Sequence, residues 1–173
     1  MIQAGILTEE DRVELMEGWI IEKVTHTPSH DVSIDLTTDA LRKVLPTGWR
    51  VRVRSAVTTS DSELQPDLAV VRGPARRYSQ SHPIPQDIAL IVEVADTALE
   101  LDRKCKSRLY ARARLPVYWI VNLVDSQVEV YTDPQGGESP SYRQRRDYGI
   151  DVEVSLVIAG KQIAAIAVRE LLP

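Results

Sequence analysis

Three ionisable residues sit in or beside apolar segments, at spacings that would let them meet. Asp67 heads the short run PDLAVV (66–71), Glu93 interrupts IALIVEV (88–94), and Lys106 follows 13 positions later in a basic stretch. A carboxylate inside a run that reads as buried on both faces costs several kcal/mol, on the order of 3–5, unless it is paired or binds a cation. If the two apolar runs are neighbouring strands, Asp67 and Glu93 face one another. Two like charges in a dry place repel, and a divalent cation relieves both costs. Few hard oxygen donors with room for water suit Mg²⁺ or Mn²⁺, and the backbone carbonyl of Val94 offers a third oxygen. A lysine close by would stabilise negative charge developing on a phosphate or orient an attacking water. The plainer reading stays open: Glu93 as half of a structural ion pair with Lys106 or an arginine.

These residues need particular elements to position them. TEEDRVELMEG (8–18) reads as a short helix capped by Thr8 and stopped by Gly18, and WIIEKV (19–24) as a strand. A Pro-Ser turn precedes a helix over 30–45 in which Val32, Leu36, Ala40 and Val44 recur every fourth residue. WRVRVRSAV (49–57) alternates, with Trp49, Val51, Val53 and Val57 on one side and Arg50, Arg52 and Arg54 on the other. The buried strand 88–94 leads into a helix ending near Arg114, then the strand VYWIVN (117–122), a hairpin over 126–132, and further strands in VEVSLVI and QIAAIAV. A helix linking two apolar strands suits a parallel pairing. On that helix Asp102, Lys106 and Tyr110 share one stripe, and Leu101, Cys105 and Leu109 form an apolar one expected to pack on the sheet, with Cys105 as a small core residue. Tyr110 and Trp119 are expected in the core. The expected class is α/β with a mixed sheet, in one domain spanning 1–173.

Composition narrows the function. The 173 residues carry a net charge of −4, so a nucleic-acid surface has to be local. Candidates are the helix from Arg103 to Arg114, with Arg103, Lys104 and Arg108, and the strand face carrying Arg52. One cysteine and three scattered histidines make neither a disulfide nor a zinc pattern. No membrane-length apolar run and no secretory leader is evident, so a cytoplasmic setting is expected.

The set RVELMEGWIIEKV, TPSH, QPDLAVV, LIVEVAD and LDRKCKSRLYARARLPVYWIVN resembles the PD-(D/E)XK nuclease superfamily, and more closely its Uma-type restriction-endonuclease family. The resemblance covers most of residues 12–132. It implies a restriction-endonuclease-like core in the order α-β-β-β-α-β, with extra terminal strands. It implies a metal-dependent DNA endonuclease using Asp67, Glu93 and Lys106, with Glu14 as a further site acid and His30 as a recurrent histidine. The usual lysine position, two after the acid, is Ala95, and the family's displaced lysine in a D-R-x-x-K-x-x-x-Y setting matches Asp102, Arg103, Lys106 and Tyr110, which favours Lys106 over Lys104. A homodimer follows from the resemblance alone. Two positions depart from the family pattern: ARARLPVYW lacks the usual glycine, and Asn122 replaces an aspartate. The alternative expectation is a nuclease-fold module without cleavage that binds nucleic acid or a protein.

Overall fold

The computed structural model describes residues 13–22 and 27–173. Its first described element corrects the expected opening helix. Val13–Met16 (β1) is a strand, paired antiparallel with Trp19–Glu22 (β2) through the register Met16↔Trp19. Glu17 and Gly18 carry the turn with φ of 51° and 82°. Two left-handed residues in a two-residue loop define the primed turn that matches strand twist, so the Glu-Gly pair closes a hairpin instead of stopping a helix. The remainder of the expected helix, 8–12, lies outside the described residues.

Helix α1 (Pro28–Val44) begins two residues earlier than expected. Thr27 is its cap, accepting from the His30 N–H at 3.3 Å, and proline sits in the first turn where no N–H is needed. The central sheet has the order β10-β9-β8-β7-β6-β3. Its strands are β3 (Trp49–Val53), β6 (Leu68–Arg72), β7 (Ile88–Ala95), β8 (Val117–Asn122), β9 (Gln127–Gln135) and β10 (Ser141–Gly149). Only β7 and β8 run parallel, in register Glu93↔Ile120; every other neighbouring pair is antiparallel. The crossover expected from the sequence joins that parallel pair.

The alternating 49–57 segment is not one strand. It leaves the sheet after Val53, turns at Arg54 (φ 43°), and re-enters a small second sheet as β4 (Val57–Thr58), beside β5 (Glu63–Leu64) and the β1–β2 hairpin. A separate hairpin of β11 (Glu153–Ile158) and β12 (Lys161–Ala167) closes the chain.

β7 and β8 are buried at every residue. One face packs on α1 and the β11–β12 hairpin through Ile34, Leu41, Leu68, Leu90, Trp119 and Leu156. The other carries the crossover helix and the small sheet over Ile91, Tyr110, Leu115, Tyr118 and Ile120. No helix among the described residues is long and apolar enough to cross a membrane.

Candidate active site

β6 begins one residue after Asp67, and Leu68 pairs with Val92. That register brings Asp67 beside Glu93 on the face covered by the crossover helix. The Asp67 N–H donates to Glu93 Oε2 at 3.4 Å, and the Val94 N–H donates to Asp67 Oδ2 at 2.9 Å. In a strand the N–H and C=O of one residue leave by the same edge. The Val94 carbonyl is therefore directed toward the space beyond the end of β6, on the Asp67 side.

The crossover helix supplies the rest, by a route the sequence pattern did not foretell. It is wound in three parts: α2 (Leu99–Leu101), a π-helical turn (Asp102–Lys106) and α3 (Ser107–Arg112). The turn is closed by the Ser107 N–H donating to the Asp102 carbonyl, one residue wider than an α-helical bond. The extra residue changes which side faces the sheet. Asp102, Leu109 and Tyr110 are buried, whereas Cys105 is exposed, so the expected Leu101–Cys105–Leu109 stripe is not the packed one.

The polar stripe points inward instead. Lys106 Nζ lies 3.0 Å from Glu93 Oε2 and 3.2 Å from Asp102 Oδ1, with its side chain 12% exposed. Tyr110 Oη donates to Glu93 Oε1 at 2.6 Å. Glu93, itself 2% exposed, thus has a partner on each oxygen. Lys104 turns outward and pairs with Glu100 at 2.8 Å.

His30, in the first turn of α1, brings its Nε2 to 3.2 Å from Asp67 Oδ2. Burial pushes the Asp67 carboxyl up. The His30 hydrogen bond and charge, the Val94 N–H and the Lys106 charge outweigh it, and the carboxyl sits below the ordinary carboxylate range. Burial pushes His30 down, but Asp67, with a contribution from Asp96, leaves the imidazole above its usual value. Three carboxylates, Asp67, Glu93 and Asp102, therefore face one ammonium and an imidazole with raised proton affinity. Glu14 lies on β1 opposite Ile21; its side chain is outside what the structure describes.

The basic residues are distributed unevenly. On the crossover helix Arg103 and Arg108 join Lys104 in ion pairs: Arg103 with Glu129, Glu100 and Asp125, and Arg108 with Glu17. Arg112 also reaches Glu17, and Asp61 at 2.8 Å. Arg52 stands on β3 opposite Ala69, two residues along from Asp67 and on the same face, with its guanidinium over the Tyr78 ring at 5.3 Å.

A second buried glutamate had no place in the sequence reading. Glu129, fully buried on β9, accepts from Arg103 Nε at 3.1 Å, Tyr131 Oη at 2.8 Å and Asn122 Nδ2 at 2.8 Å. It lies in the same cross-sheet row as Glu93, through Ile120. The signal existed: Val128-Glu129-Val130 repeats the Val92-Glu93-Val94 triplet. Asn122, noted as a departure from the family pattern, is one of its partners.

The donor chemistry fits a hard divalent cation. Asp67, Glu93 and the Val94 carbonyl supply oxygen only, in a pocket of excess negative charge. Among the described residues no three His, Cys, Asp or Glu side chains form a ready ligand cluster. A cation here would take two carboxylates, a carbonyl and water, the pattern Mg²⁺ tolerates best.

A solved structure described as a putative nuclease belonging to DUF820, from Anabaena variabilis, matches 98% of this chain and 94% of its own, with a TM-score of 0.75 at 16% identity. That likeness is one of fold. No curated protein matches the sequence. Residues 3–165 match the family model "Uma2: Putative restriction endonuclease", and the chain belongs to that family.

Proposed function

We propose that this protein is a metal-dependent endonuclease that hydrolyses phosphodiester bonds in DNA. The observation that carries the reading is the convergence of Asp67 and Lys106 on Glu93, from two strands and a helix, each within hydrogen-bond reach of the Glu93 carboxylate. Family membership and the shared nuclease fold support it. Asp67, Glu93 and the Val94 carbonyl would hold Mg²⁺ or Mn²⁺. When bound, such an ion supplies positive charge to the scissile phosphate and makes a nearby water more acidic.

The protein's own groups then divide the work. Tyr110 and the Asp67 N–H fix the Glu93 carboxylate, and His30 and the Val94 N–H fix that of Asp67, so neither has to reorganise when substrate arrives. Lys106 keeps its ammonium beside Glu93, where it neutralises charge building on a phosphate oxygen as water attacks. Asp102 holds the lysine from the other side, which keeps it aimed.

The test is cleavage of plasmid and oligonucleotide DNA by purified protein with Mg²⁺ or Mn²⁺. Cutting is expected with either ion and is abolished by chelator. Asp67→Ala is expected to reduce it to background, and Lys106→Ala by roughly 10²–10³-fold. Activity that survives either substitution refutes the site. No cleavage with any metal, alongside retained DNA binding, would leave a binding module that uses the same fold.

A further inference from the structure

We infer that a nucleic-acid backbone lies along the arginine-bearing edge of the central sheet formed by Arg50, Arg52 and the turn carrying Arg76 and Tyr78, and not along the basic crossover helix. The inference rests on the proposal that the substrate is DNA and adds where the phosphates flanking the scissile bond are held.

Three observations place it. First, β3 is the edge strand, and Arg50 and Arg52 project from it on the face that carries Asp67 and Glu93, in register with Val71 and Ala69. Two strand residues separate the Arg52–Ala69 pair from Asp67, about 7 Å, or roughly two base-pair steps of duplex rise. Second, among the described residues no carboxylate pairs with Arg50, Arg52 or Arg76, whereas Arg103, Lys104, Lys106, Arg108 and Arg112 of the helix are all in ion pairs. Third, the stems are already ordered. The Nε atoms of Arg50 and Arg52 are buried without a hydrogen-bond partner, and the Tyr78 ring has the Arg52 guanidinium at 5.3 Å and that of Arg77 at 6.0 Å.

Two guanidiniums held side by side on alternate residues repel, and no carboxylate among the described residues pairs with either to offset that. A phosphate diester does, with bidentate hydrogen bonds and little further ordering of the side chains. The helix cations offer a weaker site, since each would first have to leave a carboxylate. The acidic Asp87 that holds Arg77 at 2.7 Å sets the limit of the patch.

The test measures binding without cutting. A fluorescent 20-base-pair duplex and its single strand are titrated in chelator across a range of salt concentrations. The variants are Arg50→Gln/Arg52→Gln/Arg76→Gln and, for comparison, Lys104→Gln/Arg108→Gln. Removing one arginine–phosphate interaction lowers the slope of log affinity on log salt by about 0.9. The triple variant is expected to lose about two to three units of slope, and the helix variant less than half a unit. Arg76→Gln alone, an exposed change that spares the fold, should remove about one unit. Equal loss in both variants, loss only in the helix variant, or no loss in the triple variant overturns the inference. So does wild-type protein that binds neither probe, a result that removes the DNA reading as well. Binding through the patch by a protein that cuts nothing with any metal upholds this surface and refutes the nuclease proposal.

Discussion

Tyr110 shows how much of a site depends on one hydroxyl. Its Oη donates to Glu93 Oε1 from a side chain with no exposure, next to Tyr118 at a ring separation of 5.0 Å. Tyr110→Phe keeps the ring and takes that donor away from a buried carboxylate. The expected loss is about 1–3 kcal/mol by denaturant unfolding, with the slope of the transition unchanged. Legibility at this scale was selective. Three Val-Glu-Val triplets occur in the chain, at 92–94, 128–130 and 152–154. Glu93 meets Lys106, Glu129 meets Arg103, and Glu153 is exposed. The triplet alone marks a strand. Its long-range partners decide whether the acid is a site, a buried anchor or solvated, and those partners come from elements 13, 26 and more residues away. That Asp67 and Lys106 would both meet Glu93 was legible because resemblance supplied the missing distance.

At the scale of elements, Glu129 fastens the crossover helix to the sheet. Burial pushes its carboxyl up, and the bonds from Arg103, Tyr131 and Asn122 and the Arg145 charge more than reverse that, so it lies below 4.5. A carboxyl whose proton affinity falls on folding stabilises the protein at pH above its unfolded value, and that contribution disappears as pH drops through the folded value. Glu129→Gln should therefore lower Tm at neutral pH and lose progressively less relative to wild type below about pH 4.5, as melting curves from pH 7 to 3 would show. At neutral pH a loss of about 2–3 kcal/mol is expected, from charge-assisted hydrogen bonds to partly exposed arginines. Strand and helix identities were mostly readable. The first hairpin was not, because ELMEG satisfies a helical stop as well as a primed turn, and only pairing with β5 through Leu15↔Glu63 decides between them. The break after Val53 was hidden for a similar reason: the Val–Arg alternation continues through Arg54, where the backbone turns.

Across the whole molecule, the small sheet and the crossover helix flank the face that carries Asp67 and Glu93, joined by Glu17 reaching both Arg108 and Arg112 and by Asp61 reaching Arg112. Arg112→Ala cuts two of these three ion pairs and leaves Glu17 on Arg108. Faster amide exchange in β1, β2 and β5, with β7 and β8 unchanged, is the expected result, because partly exposed ion pairs add to the few buried side chains of this joint, Met16, Val57 and Leu64, while the central sheet is buried throughout. The layered architecture followed from hydrophobic patterning; the joint did not, because its charges are far apart in sequence. The π-helical turn has a consequence of another kind, one of phase. An α-helix advances about 100° per residue. Deleting Cys105, the exposed residue within the wide turn, would let 102–106 close at the ordinary pitch and rotate everything after it by that angle relative to everything before. Lys106, Leu109 and Tyr110, all beyond the deletion, could then keep their places only if Asp102 left the interior and the lysine, or Asp102 could stay buried only by swinging Lys106 and Tyr110 away from Glu93. One surplus residue is thus what lets a single helix serve two incompatible registers, and an exposed cysteine that touches neither the proposed metal ligands nor the core becomes the position least tolerant of deletion and among the most tolerant of substitution.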